Sequence, residues 1–202
     1  MRTPILLCFS LFLSVAALAQ TKAATSSSQI PTYTAEGRLM FPAQYREWVY
    51  LTSGVNMSYS PMAMDHTMFD NVFVNPDAYH AFLATGTWPD KTMLVLEVRA
   101  AGSKASINKS GNYQMSEIMG REVHVKDTAH GGWAFFGFDS DEPSKMISKE
   151  AACYSCHEQH AAVDTTFVQF YPTLLDLAKS KGTLSPAYVK EEAAAAPSAD
   201  KK

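Results

Sequence analysis

The chain has 202 residues, 47% hydrophobic and 18% charged, with 17 basic residues against 20 acidic ones and a formal charge of −3. That balance argues against a nucleic-acid partner, which would call for a basic patch, and the length suits one core and one domain. Past the first 19 residues, no apolar run is long enough to span a bilayer.

Residues 1–19 carry one basic residue, Arg2, an apolar run from Ile5 to Leu18 and the small-residue site Ala17-Leu18-Ala19. These features read as a cleaved secretory signal peptide. Cleavage after Ala19 would remove Cys8 and leave Cys153 and Cys156 as the only cysteines, so no disulfide framework remains. Residues 20–35, rich in Thr, Ser and Ala, and residues 183–202, ending in AAAAPSADKK, lack apolar periodicity and are expected to be disordered. The folded domain is then expected over residues 36–182.

Within that domain, residues 41–48 start as a short helix with Pro42 in its first turn and lead into a strand over 49–55. Residues 67–75 are mostly apolar and β-prone. Asn75-Pro76-Asp77 then offers an N-cap, a proline at the first helical position and an acid in the first turn, with Tyr79, Phe82 and Leu83 as an apolar stripe and Thr85-Gly86 as the stop. Residues 92–100 alternate as a strand, with Met93, Val95 and Glu97 on one face and Leu94, Leu96 and Val98 on the other. Further strands are expected at 121–127 and 132–139, the latter loaded with Trp133, Phe135, Phe136 and Phe138. Val163, Phe167, Phe170, Leu174, Leu175 and Ala178 recur at helical spacing, with Pro172 set to bend or break the helix. The class is α+β: an antiparallel β-sheet with flanking helices, the C-terminal helix carrying the motif described next.

Cys153-Tyr154-Ser155-Cys156-His157 is the spacing of c-type haem attachment, in which two thiols add to the haem vinyl groups and the following histidine ligates the iron. The same pair of cysteines is open to two other readings, a redox dithiol or half of a zinc site. A dithiol belongs near the start of a βαβ pattern, and a zinc site needs two more nearby ligands, of which His160 supplies at most one. The motif predicts one covalently attached haem c. Such attachment takes place outside the bacterial cytoplasmic membrane, so motif and signal peptide agree on a periplasmic address. Met57, Met62, Met64 and Met68 form a cluster from which a sixth, methionine ligand could come, although flexible core filling is the plainer reading of methionine. His66, His80, His124, His130 and His160 read as surface or structural residues.

Most small c-type cytochromes are helical and carry the motif early, whereas here more than a hundred residues of sheet-forming chain precede it. Phe41-Pro42-x-x-Tyr45-Arg46-x-Trp48, Asn75-Pro76-x-x-Tyr79, Thr85-Gly86-x-Trp88-x-Asp90-x-Thr92, Gly132-Trp133-Ala134-Phe135 and the stretch from Cys153 to Phe170-Tyr171-Pro172 together resemble the cytochrome P460 family, which includes the cytochromes c′-beta. The resemblance implies a haem pocket formed by an antiparallel sheet, a five-coordinate iron with an open distal side, and a homodimer. It implies Cys153 and Cys156 as thioether residues and His157 as the proximal ligand. In the hydroxylamine-oxidising members a lysine on the strand after the Thr-Gly turn is cross-linked to the haem, and ungapped alignment from Thr92 sets Leu96 at that position. Lys91 and Lys104 are the nearest lysines, and Lys91 has the opposite strand parity.

Leu96 is therefore the first candidate for the distal pocket, with Phe73, Met93, Phe135 and Phe136 as further candidate neighbours. An apolar distal face favours small gaseous ligands such as nitric oxide or carbon monoxide. Two alternatives stand beside this expectation: an electron-transfer cytochrome with a His/Met haem and a redox partner, and an enzyme oxidising hydroxylamine or nitric oxide. The resemblance sets Glu122 at the pocket glutamate of the oxidising members, a candidate proton relay with a pKa expected to be raised if it is buried beside the haem; the alternative is an exposed strand-edge carboxylate neighbouring Arg121 and Lys126. Gln169 stands where a basic residue is expected in relatives.

Overall fold

Alternating strands and well-placed turn residues organise this chain around one sheet. The computed structural model describes residues 29–58 and 66–195. The expected signal peptide, residues 20–28, Met62, Met64 and residues 196–202 lie outside the described residues. Among the described residues, β1 (Val49–Val55), β2 (Met68–Val74), β3 (Met93–Ser103), β4 (Asn112–Asp127) and β5 (Gly132–Phe138) form one antiparallel sheet in chain order. Four helices among the described residues accompany it: α1 (Pro76–Thr85), α2 (Ala152–His160), α3 (Leu175–Lys181) and α4 (Pro186–Ala195). The architecture is α+β. No helix among the described residues is long and apolar enough to cross a membrane.

The parity of β3 divides the interior in two, because successive side chains of a strand point to opposite faces. Leu94 joins Val74, Phe82, Trp88, Leu174 and Ala178 in one core, under the helices. Met93 and Val95 join Leu39, Tyr45, Trp48, Val123 and Phe136 in the other. Glu97 is wholly buried on this second face. Tyr45 Oη and Arg46 Nη2 donate to its carboxylate, and Arg99 adds bonds of 2.5 and 3.1 Å from Nε and Nη2. The Tyr45-Arg46 dipeptide is thereby tied to the centre of the sheet.

Helix α1 starts and stops where expected. Pro76 sits in its first turn, and Gly86, at φ +78°, takes the left-handed conformation and donates its N–H to Phe82 O at 2.7 Å. Asn75 does not cap it with its side chain. Buried between strands, its Oδ1 accepts from the Met93 N–H at 2.8 Å while Nδ2 donates to Lys91 O and Gln29 O. Of the expected stripe, Phe82 is fully buried against Trp88, whereas Leu83 remains 40% exposed.

Other expectations are corrected. The helix expected over 41–48 contracts to a 3₁₀ turn at Tyr45–Glu47. Strand β4 begins at Asn112 rather than near 121, because its exposed first half pairs with the end of β3 as a ribbon. No continuous helix follows the motif: Val163 and Thr166 form an isolated bridge, Val168–Phe170 a 3₁₀ turn, and α3 begins after Pro172. Thr166 holds that break, since its Oγ1 accepts from the Trp88 indole at 2.7 Å.

The expected disordered segments also give way where the structure describes them. Tyr33 bridges to Leu39. At the other end, Ser185 Oγ donates to Ala161 O at 2.6 Å and accepts from the Tyr188 N–H at 3.1 Å, starting α4 against the core. Tyr188 is 6% exposed among Leu174, Ala178 and their neighbours. Replacing Tyr188 by Ala is expected to cost about 2 kcal/mol in chemical denaturation, through the packing lost around one ring. No measurable loss would mean that α4 is not docked.

Candidate functional site

The motif lies on α2, where residues three and four apart share a face. Cys153, Cys156 and His157 have that spacing, and both thiols are free and half-buried. Tyr154, inside the motif, docks the helix on the sheet. Its Oη accepts from the Phe135 N–H at 2.9 Å and donates to Ile147 O at 3.2 Å. Its ring stacks on Phe135 at 4.3 Å, and Phe135 stacks on His124 at 3.9 Å.

His157 is held by its other nitrogen. Nδ1 lies 2.7 Å from Thr165 O, and a carbonyl only accepts, so Nδ1 carries the proton and Nε2 keeps its lone pair for a ligand. The rings of Phe167, Phe135 and His124 surround it, with centroids at 4.3, 4.8 and 4.9 Å. Burial, with the nearby His124 adding to it, pushes the His157 pKa down to about 4 against the opposing effects of Thr165 O and Glu122. The imidazole is therefore neutral near pH 7, the form that binds a metal.

His157 lines a cavity of about 210 Å³ between α2, the segment after it and the sheet. Leu96 lines it too, with Val72 and Glu122 beside it on the neighbouring strands. Of the further distal candidates, only Phe135 reaches His157. Phe73, Met93 and Phe136 belong to the core on the opposite face, as their pairing with Val95, Val125 and Val123 requires. A second hollow of about 340 Å³ shares the walls Phe167 and Phe170 and reaches Cys156.

The cavity is less apolar than Leu96 alone suggested. Glu122 faces it, but its carboxyl is held below the usual range rather than raised, chiefly by His124 at 3.6 Å, and its side chain is half exposed. His124, expected to be a surface or structural residue, lines the cavity against His157. Asp70 and Met57 line it as well. Burial pushes the Asp70 carboxyl up and Glu122 adds to this, against a hydrogen bond from the Met57 backbone; Asp70 Oδ2 is buried with no partner among the described residues. Met57 lies over Gly54, where any Cβ would collide with its sulfur. Sequence reading missed Asp70, His124, Phe167 and Phe170. Asp70 and His124 share the sheet face of Leu96, which shows only once β2 and β4 are registered against β3.

Among the described residues no lysine lines the cavity. Lys91 is paired with Asp127, and Lys104 lies beyond the end of β3. Gln169, where a basic residue was expected, is a staple: its Oε1 accepts from Ala162 N at 3.0 Å and its Nε2 donates to His160 O at 2.8 Å.

This donor set fits a c-type haem. It offers two thiols and a neutral imidazole on one helix face, an anchored second ring nitrogen, and walls formed by Leu94, Leu96, Val72, Phe167 and Phe170. Among the described residues, no three His, Cys, Asp or Glu side chains gather to hold a bare metal ion. The family model described as Cytochrome P460 matches residues 42–168. None of the curated proteins matches the chain.

Proposed function

The chain belongs to the cytochrome P460 family of c-type haem cytochromes, and on that premise we propose that it is a periplasmic monohaem protein binding small diatomic gases such as nitric oxide or carbon monoxide at a five-coordinate iron. In this reading Cys153 and Cys156 form the two thioether bonds, His157 is the proximal ligand, and a signal peptide over residues 1–19 is removed on export. Haem supplies the iron site at which a diatomic molecule binds.

The observation that carries the proposal is the cavity itself. His157 enters it with Nδ1 anchored on Thr165 O, and Leu96, the residue that the resemblance sets at the position of the cross-linking lysine, lines it. Phe167 and Phe135 orient the imidazole, and Leu96, Val72 and Leu94 keep water off the cavity wall. Glu122, paired with His124, is proposed as a proton relay at the cavity edge. A homodimer and a redox partner cytochrome complete the proposal and rest on the family.

The purified ferrous protein is expected to give a high-spin spectrum that changes fully on adding carbon monoxide. A second reading is favoured by Met57, whose side chain lines the cavity. If Met57 were a sixth ligand, the ferrous spectrum would be low-spin and the protein an electron carrier. The third reading, an enzyme oxidising hydroxylamine or nitric oxide, requires a lysine bond to the macrocycle, and a haem mass with two thioethers alone excludes it.

A further inference from the structure

The sheet face that carries Leu96 is ordered in cross-strand rows. Val72, Leu96 and Glu122 form one. On one side of it lies the row of Val74, Leu94 and His124, and on the other the row of Asp70, Val98 and Gly120. Rows that share a face are about 7 Å apart along the strands. His124 packs on His157, so His157 and Asp70 stand at opposite ends of the cavity, with Leu96 between them.

At the Asp70 end the Met57 sulfur sits over Gly54. Asp70 pairs with Gly54 on β1, and Gly120, two strands away, has open space where a Cβ would be. The Asp70 carboxylate is held on one side by the Met57 N–H, while Oδ2 is buried and has no partner among the described residues. Among the described residues no Lys or Arg lines the cavity; Glu122 is paired with His124, while the only charged group acting on the Asp70 carboxylate is Glu122, of like charge.

We propose that Asp70 determines ligand specificity, presenting a carboxylate on the side of the cavity opposite His157 that selects neutral small molecules over anions. The inference rests on the reading of an open haem given above. An anion entering beside Asp70 meets a like charge with little water to screen it, whereas a neutral diatomic molecule does not. Apolar walls alone would exclude anions only by desolvation. Asp70 adds a repulsion that one substitution removes.

The test compares two probes on the holoprotein: azide on the ferric form and carbon monoxide on the ferrous form, both titrated optically. In Asp70→Asn, which keeps an acceptor for the Met57 N–H, the ratio of azide affinity to carbon monoxide affinity is expected to rise about tenfold. Asp70→Glu, which keeps the charge, should return the ratio towards the wild-type value. Asp70→Ser repeats the neutralisation if the amide variant does not accumulate. A ratio unchanged in the neutral variants, or two affinities that move in step, overturns the role of Asp70 while leaving the open haem standing. A wild-type ferrous protein that takes up no carbon monoxide removes the open haem, and Asp70 then has no ligand to select.

Discussion

Replacing His157 by Ala is expected to abolish the histidine-ligated haem spectrum completely while leaving the haem bound through Cys153 and Cys156. The imidazole is held on Thr165 O, kept neutral by burial, and enclosed by Phe167, Phe135 and His124. Its removal leaves a ring-shaped hole with the carbonyl of Thr165 still in place. Free imidazole fits that hole and can donate to the same carbonyl, so adding it should restore most of the wild-type spectrum. Mass spectrometry checks that attachment survives, and optical spectroscopy reads the ligation. A variant that keeps the wild-type spectrum would show that another group binds the iron. Among the described residues His124 is the one other imidazole lining this cavity, and His124→Ala is the matching control.

The second large effect is on stability. Replacing Glu97 by Ala is expected to cost about 3–5 kcal/mol, because it leaves buried partners without their acceptor. Tyr45 and Asn71 are buried beside Glu97, and the Arg99 side chain is only 14% exposed. Arg46 is half exposed and can return to water, so most of the loss falls on the other three. Urea denaturation monitored by tryptophan fluorescence measures it, and a loss under about 1 kcal/mol would show that the network contributes little.

The same carboxylate sets a pH dependence. Burial alone would push the Glu97 pKa up, but hydrogen bonds from Arg99 and Tyr45 and the charges of Arg46 and Arg99 outweigh it and hold the pKa below the ordinary value of 4.5. A group whose pKa is lowered by folding stabilises the fold above its unfolded pKa, and that contribution is lost as pH falls through the folded value. Stability should therefore drop as the solution is acidified below about pH 4.5. Glu97→Gln should flatten this part of the profile.

Much of the fold could be read locally. The strand over residues 49–55, the proline-initiated and glycine-terminated α1, and the split parity of β3 each follow from side chains within one element. The motif on α2 could be read in the same way, whereas Leu96 is singled out only through the resemblance to the family. What escaped depends on contacts between elements. Residues 112–119 are exposed on both faces of a ribbon, so no alternation marks them as strand. The apolar spacing from Val163 to Ala178 looks helical, yet Thr166 is pinned by Trp88, 78 residues earlier in the chain. Asp70 and His124 enter the cavity only through the register of β2 and β4 against β3, which neither strand's own sequence specifies.

The sheet runs β1-β2-β3-β4-β5 in chain order, each strand paired with its successor. A meander of this kind closes by short steps along the chain, and short loop closures carry a small entropy cost and favour rapid folding. Helix α2 follows the last strand, and Tyr154 docks on Phe135 of β5. All five strands precede α2 in the chain, so the sheet's pairings need no residue of the helix that carries the two thiols.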